Sequence, residues 1–153
     1  TENLMKAIGC TSVVSLDYSD YEDVDHLWNL STSVIASEKG SHLVNKYNLI
    51  LDYGTTEHVF SPTQSIANSV SMLKVGGRLN LVLPVCGHLD HGMYQFSPTW
   101  FYSMNSEWLE LERLYFFVNQ QNTTRLKIWN GFFERTNPRK NTFEIFQSDW
   151  KIY

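Results

Sequence analysis

Acidic and imidazole side chains lie at three positions in the sequence where they could take part in catalysis or ligand binding. Glu57 and His58 are adjacent, and a histidine beside a carboxylate can act as a general base near neutral pH. Asp17 and Asp52 each end a short apolar run, the position from which strand-end carboxylates bind ligands in parallel sheets. Each residue also has a plainer interpretation as a helix cap or turn residue. These residues form one site only if the fold brings their segments together.

A second group of candidate ligands lies in the polar segment after the next apolar run. Its members are of types that bind zinc, at short spacing: Cys86, His88, Asp90 and His91. They match no recognised zinc pattern, so we favour a loop whose histidines make hydrogen bonds or contact a substrate. Tyr94 and Gln95 are candidates for the same substrate pocket, with the alternative that Tyr94 is a core aromatic. The sequence predicts no metal site.

The elements around these segments indicate an α/β fold. Tyr47 to Asp52 is a compact apolar run, typical of a strand covered on both faces. A helical pattern from about Pro62 to Leu73 follows, and Gly76-Gly77 should stop it before a second apolar run, Arg78 to Pro84. This strand–helix–strand unit predicts two parallel central strands joined by a crossover.

Weaker patterns flank this unit. The expected N-terminal elements are a helix over 4–8 stopped by Gly9, a strand over 12–17, a brief edge strand over 26–29 and a helix over 33–46. The expected C-terminal elements are a short helix opened by Ser97-Pro98 and strands over 110–118, 125–129 and 142–146. The strand-like runs at the end predict an antiparallel end to the sheet.

Composition narrows the class of protein. The chain has 153 residues, of which 42% are hydrophobic and 18% charged, so one globular domain, 1–153, is expected and disorder is excluded. A net charge of -4 with scattered Lys and Arg offers no basic surface for nucleic acid. No apolar run reaches the length of a membrane span, and Cys10 and Cys86 lack the paired spacing of a disulfide framework. A cytoplasmic location is expected, with no nucleic-acid or membrane partner.

The order of the motifs resembles class I S-adenosylmethionine-dependent methyltransferases. The motifs are Ser15-Leu16-Asp17-Tyr18-Ser19, a strand ending Asp52-Tyr53-Gly54-Thr55-Thr56-Glu57-His58-Val59, a helix, Leu73-Lys74-Val75-Gly76-Gly77 and a strand ending at Pro84. His91-Gly92-Met93-Tyr94-Gln95-Phe96-Ser97-Pro98 resembles an extension found in one bacterial branch of methyltransferase-like proteins. The resemblance spans roughly residues 4 to 118 and implies a Rossmann-like, mostly parallel sheet flanked by helices, with antiparallel C-terminal strands.

The resemblance also implies roles for residues at the strand ends. Asp17 would accept hydrogen bonds from the ribose hydroxyls of S-adenosylmethionine. The other implied cofactor contacts are Tyr18, Asn29, Leu30, Asp52 and Gly54, the implied catalytic residues are Glu57 and His58, and the implied substrate contacts are His88, His91, Tyr94 and Gln95. The Asn/Asp-Pro-Pro-aromatic motif of nucleobase methylation does not follow the central strand, so the expected acceptor is a small molecule.

The sequence departs from this family in two places. Methyltransferases of this class begin with a strand and a Gly-x-Gly-type loop that contacts the methionine part of the cofactor, and neither precedes Ser12. The absent strand would lie between the strands of Val13 and Ile50, so we expect those strands to pair directly or a second chain or another segment to fill the gap, with a homodimer favoured. In addition, some quinone O-methyltransferases bind a divalent metal through a Glu-x-x-Glu-His motif. Gly54 occupies the position of the first Glu of that motif, so the sequence argues against this metal site.

Two hypotheses follow from the resemblance and its departures. In the first, the protein transfers a methyl group to a small acceptor, mainly by holding the reactants in line, with a base such as His58 optional. In the second, it is a catalytically inactive or truncated methyltransferase-like scaffold that acts as a binding or oligomerisation domain. The glycine loop is the feature that separates the two hypotheses.

Overall fold

The fold is mixed α/β, as the sequence predicts. The computed structural model describes residues 2–107, 109–120, 123–127 and 145–152. Its elements are α1 (Glu2–Ala7), β1 (Leu16–Asp17), β2 (His26–Leu27), a 3₁₀ helix (Glu38–Leu43), β3 (Tyr47–Tyr53), a 3₁₀ turn (Thr56–His58), α2 (Pro62–Met72), β4 (Leu73–Pro84), α3 (Pro98–Ser103), β5 (Leu109–Gln120), β6 (Thr123–Lys127) and β7 (Ile145–Ile152). None of the helices in the described ranges is long and apolar enough to cross a membrane.

The strand–helix–strand unit is confirmed, except that β3 lies at the edge of the described sheet rather than in its centre. β3 and β4 are parallel neighbours, with Asp52 opposite Leu81, and α2 connects them. The helix expected from about Pro62 to Leu73 is confirmed by α2, which ends at Met72, but Gly76-Gly77 do not separate it from the next strand, because β4 already begins at Leu73. The two glycines instead lie in an irregular stretch of β4, where the register with β3 shifts. Gly76 has φ +78°, a conformation that glycine adopts at little cost.

Antiparallel strands complete the larger sheet, as predicted, but the expected mostly parallel sheet is not found: among the described strands, β3 and β4 form its one parallel pair. Its order is β3-β4-β7-β5-β6, and β7 runs antiparallel to both β4 and β5. The last strand in the sequence therefore lies between two earlier ones. Of the expected strand residues, 128–129 and 142–144 lie outside the described residues.

The N-terminal part is less regular than the sequence predicts. The strand expected over 12–17 contains only Leu16–Asp17, which pairs in parallel with His26–Leu27. The helix expected over 33–46 is wrong, because only the 3₁₀ helix Glu38–Leu43 forms there. A Cβ on Gly40 would lie 2.6 Å from the Val34 carbonyl oxygen and 2.8 Å from the Trp28 ring. Close tertiary packing at Gly40, rather than helix propensity, thus decides this segment.

One hydrophobic core lies against β4. Leu79, Leu81 and Leu83 are fully buried and alternate along the strand with more exposed residues, as expected for a strand with one face on a core. Phe96 and Phe101 pack with them. The loop after β4 and helix α3 are therefore anchored to the sheet by burial of apolar surface.

A smaller apolar cluster joins the N-terminal part to α2. It is formed by Val34, Leu43 and Met72, and the buried side chain of Asn68 adds polar contacts beside it. The Asn68 Oδ1 accepts a hydrogen bond from the Val34 N–H at 3.0 Å, and its Nδ2 donates to the carbonyls of Leu30 and Thr32 at 2.9 Å each. One amide side chain thus satisfies three backbone groups of a segment more than 30 residues away in sequence.

Replacing Asn68 with alanine should destabilise the protein by about 1–3 kcal/mol, because buried backbone groups of the 30–34 segment would lose their partners. Thr63→Ala, at an exposed position of the same helix, is the matched control and should change stability by less than about 0.5 kcal/mol. Urea denaturation measures both. Equal stability of Asn68→Ala and the wild type would contradict the bridging role.

Candidate functional site

The carboxylate of Asp52 organises the loop that follows β3. It is 7% exposed, and its Oδ1 accepts hydrogen bonds from the N–H groups of Thr55 (2.9 Å) and Thr56 (3.3 Å). Its Oδ2 accepts from the Thr56 hydroxyl, which also contacts the Ser65 hydroxyl of α2 at 2.8 Å. Asp52 therefore fixes the turn that carries Glu57 and His58. Its oxygens are occupied by these contacts.

The loop after β4 folds over Glu57. The Glu57 carbonyl accepts hydrogen bonds from the N–H groups of Met93 (2.8 Å) and Tyr94 (3.2 Å). Gly92 permits the close approach, because a Cβ there would lie 2.9 Å from the Glu57 Cγ and the φ of +69° also disfavours any other residue. Two segments that are distant in sequence are thereby held together.

This contact brings three predicted site residues into one cluster, Glu57, His58 and His91. The Glu57 Oε1 lies 3.7 Å from the His91 Nε2 and 4.0 Å from the His58 Nε2. The two imidazole rings are 5.1 Å apart between centroids, and the ring of His88 is 5.5 Å from that of His91. His58 and His91 are each about half exposed (51% and 53%), so they stand between the buried carboxylate and solvent.

The Glu57 carboxylate is the least satisfied polar group of the cluster. Glu57 is 2% exposed, and its Oε2 is buried without a hydrogen-bond partner in the described part of the chain. Burial raises the pKa of Glu57, and the nearby charge of Asp52 adds to the rise. The backbone N–H of Glu57 and the charges of His58 and His91 oppose it. A buried, unpaired carboxylate costs free energy, and such groups are concentrated at functional sites.

A separate cleft lies between the two sheets. β1 pairs with β2 and, within the described residues, β3 pairs with β4 alone. Of the alternatives left open for the Val13 and Ile50 segments, direct pairing therefore does not occur there. The cleft between them has a volume of about 530 Å³, within the usual size range of small-molecule sites. Its walls are residues 9–14 and Leu16 on one side and residues 46–52 on the other.

Only part of the predicted cofactor set lines this cleft. Leu30 and Asp52 do. Asp17 lies at the end of β1, exposed, and its Oδ1 accepts hydrogen bonds from the Ser19 N–H (2.8 Å) and hydroxyl (3.3 Å). Tyr18 is 76% exposed, and the Asn29 Oδ1 accepts from the Ser31 N–H. The structure therefore places Asp17 at the end of β1, and Tyr18 and Asn29 in the segments that follow β1 and β2.

Gly54 lies beside the Glu57 carboxylate rather than in the cleft. Its φ is +95°, and a Cβ there would be 3.2 Å from the Glu57 Oε1. Any other side chain at this position would be strained by the backbone and crowded by the carboxylate.

The other two predicted substrate contacts hold the loop after β4. The Tyr94 hydroxyl donates to the Phe60 carbonyl at 2.7 Å, and the Gln95 Nε2 donates to the His88 carbonyl at 3.1 Å. These hydrogen bonds help to position His88 and His91, so a role in substrate binding remains a prediction.

Several residues that line the cleft were missed by the sequence analysis. They are Met5, Cys10, Thr55, Ser69 and Met72. Thr55 follows a strand end, so the rule that ligands bind at strand ends could have identified it. Met5, Cys10 and Met72 carry no polar pattern, and only the packing of α1 and α2 places them at the cleft.

Comparison with known proteins does not identify a family. The sequence matches no protein-family model, and no curated protein is significantly similar to it. The function is therefore argued from the cleft and the cluster.

The raised pKa of Glu57 predicts a specific pH dependence of stability. The usual value is 4.5 and the folded-state pKa is higher, so the folded wild type binds more protons than the unfolded chain and loses stability as the pH rises from about 4.5 through the folded-state pKa. Glu57→Gln lacks this loss. Its stability relative to the wild type should therefore improve across that window.

Denaturation at several pH values in the presence of a chelator measures this difference. Glu38→Gln, at an exposed position, is the control and should show no such trend. A stability difference between Glu57→Gln and the wild type that is independent of pH would contradict the assignment.

Proposed function

We propose that the protein is a methyltransferase-type domain that binds S-adenosylmethionine at the cleft and methylates a small-molecule acceptor. The observation that carries the proposal is the cleft itself, which has the volume of a ligand site and lies between residues 9–14 and Leu16 on one side and residues 46–52, along β3, on the other. The motif order of the sequence adds the resemblance to this class of enzyme.

The residues present fit such a ligand in part. Asp17 does not line the cleft but follows Leu16, which does, and its Oδ2 would accept from a ribose hydroxyl, because only its Oδ1 is hydrogen-bonded among the described residues. Leu30 and Met72 supply apolar surface for an adenine ring within the cleft wall. Asp52 holds the Thr55 backbone rather than offering its oxygens to the ligand.

The cleft and the Glu57–His58–His91 cluster are linked through one turn. Asp52 and Thr55 line the cleft, and Glu57 and His58 follow directly in the 3₁₀ turn. An acceptor held by His58, His88 and His91 would therefore lie near the end of the cleft. This proximity supports a site in which the cofactor binds in the cleft and the acceptor binds at the cluster.

Methyl transfer requires little of the protein beyond aligning the two reactants. S-adenosylmethionine supplies a methyl group on a sulfonium, which moves to the acceptor atom while the sulfur keeps the electron pair of the broken bond. The chain's residues would orient the two molecules and exclude water. An imidazole such as that of His58 would take the proton released by the acceptor.

Binding of S-adenosylmethionine and S-adenosylhomocysteine is the direct test. Calorimetry should detect both with the wild type, and Asp17→Ala should weaken binding by about 1–3 kcal/mol, or roughly 5- to 150-fold, because a ribose hydroxyl loses its acceptor. Asp20→Ala, an exposed carboxylate of the same loop, is the control and should bind as the wild type does.

Two results would count against the proposal. If the folded protein binds neither ligand at millimolar concentration, the enzyme hypothesis fails. If Asp17→Ala binds as tightly as the wild type, methyl transfer survives but the role of Asp17 is refuted.

A second candidate function is that of a scaffold that oligomerises through the cleft. The edge of β3 that faces the cleft pairs with no strand in the described ranges, and an open strand edge favours pairing with another strand. A strand from a second copy would satisfy this edge and bury Leu49, which is 40% exposed. This arrangement corresponds to a homodimer.

Sedimentation tests the scaffold function. We expect the wild type to sediment as a dimer and Leu49→Lys as a monomer, because the lysine charge would be buried against the added strand. Val75→Lys, at a position that is 79% exposed and does not line the cleft, should remain dimeric. A wild type that is monomeric at all concentrations would exclude this function.

A further inference from the structure

We infer that Glu57, His58 and His91 form a binding site for a divalent transition metal, with zinc the best match to the donor set. One carboxylate and two imidazoles are zinc-type ligands. One ligand atom from each residue lies within 4.8 Å of the others. This inference does not depend on the proposed methyltransferase function.

The distances suit a site that closes slightly around an ion. Bonds of about 2.0–2.1 Å in tetrahedral geometry place neighbouring ligand atoms about 3.4 Å apart. The Glu57 Oε1 is 3.7 Å from the His91 Nε2 and 4.0 Å from the His58 Nε2. Small rotations of the two half-exposed imidazole rings, with the carboxylate fixed, would bring all three ligand atoms to a common ion.

The state of the Glu57 carboxylate is an independent reason to place a cation here. Glu57 is 2% exposed, and its Oε2 is buried without a hydrogen-bond partner within the described residues. Removing a charged carboxylate from water is costly unless another group compensates it. A bound cation would compensate this charge.

The fold also gives the site the support that metal sites require. The 3₁₀ turn that carries Glu57 and His58 is held by the Asp52 carboxylate. His91 lies next to this turn because two residues that follow His91 donate backbone hydrogen bonds to the Glu57 carbonyl. The ligands therefore come from two rigidly connected segments. Such positioning by surrounding groups is typical of metal sites.

Three protein ligands leave at least one coordination position open on the solvent side. Catalytic zinc sites have this composition, with the open position taken by water or by a substrate oxygen. Because His58 and His91 are half exposed, a small molecule can reach that position. The ligand class that the site would take is an oxygen donor such as a carboxylate, phenolate or hydroxyl.

Zinc titration of the full chain, first stripped with a chelator, tests the inference. Calorimetry near pH 7.5, where imidazoles are mostly neutral, should show one zinc ion per chain. His91→Ala should weaken zinc binding at least about 100-fold, since even the loss of an outer-shell partner costs about 10- to 100-fold. His58→Ala and Glu57→Gln should weaken it similarly.

The matched control is His42→Ala. His42 stacks with His26 at 5.4 Å in the N-terminal part, so this variant removes a paired histidine without touching the cluster, and it should bind zinc like the wild type. Since His91 is half exposed, His91→Ala should fold, which circular dichroism and melting in chelator verify. Co²⁺ in place of zinc provides a visible spectrum that should be lost in His91→Ala.

Four outcomes would overturn the inference. They are no zinc binding by the folded wild type, unchanged affinity in His91→Ala or in His58→Ala, loss of binding in His42→Ala, and Mg²⁺ binding as strongly as zinc. Mg²⁺ binding as strong as that of zinc would indicate a site made of oxygen ligands rather than imidazoles, because Mg²⁺ prefers oxygen ligands. Two results together would establish the site. Zinc binding would depend on His58 and His91, and zinc would raise the melting temperature of the wild type but not that of the variants at these histidines.

Discussion

The buried carboxylate of Asp52 is the interaction on which the candidate site depends. It lies near the end of β3 and binds the backbone of Thr55 and Thr56, and through the Thr56 hydroxyl it reaches Ser65 on the following helix. A charged group is stable at 7% exposure only because several donors satisfy it. The same donors then fix the turn, so the direction of Glu57 follows from satisfying Asp52.

The second constraint is the close passage of two backbones. Gly92 lets the loop after β4 lie against Glu57, and the Glu57 carbonyl pairs with the N–H groups of that loop. The core beneath holds the loop in place through Phe96. Glu57, His58 and His91 meet because burial of aromatic side chains and pairing of backbone groups favour the same loop position. The unpaired Glu57 Oε2 is the part of this arrangement that stability alone does not explain, which is why a bound cation is proposed there.

The cleft proposed to bind a ligand and the Glu57–His58–His91 cluster proposed to bind a metal belong to one connected part of the structure. Asn68 attaches the small N-terminal sheet to α2 from a distance, so the two sheets share a framework while a cleft remains between β1 and β3. A ligand or a further strand in this cleft would lie next to the turn that carries Glu57 and His58. A metal at the cluster and a ligand in the cleft would therefore be neighbours.

The sequence by itself determined the elements with strong local patterns. The apolar runs of β3 and β4 and the helical period of α2 predicted the parallel strand–helix–strand unit, because these patterns depend mainly on residues close in sequence. Segment 33–46 was predicted wrongly, since packing at Gly40 overrides helix propensity. Glu57, His58 and His91 were recognised individually as chemically capable side chains. Only the tertiary structure decided that they converge and that the Asp52 oxygens are already occupied, because these facts depend on which distant backbone groups require hydrogen-bond partners.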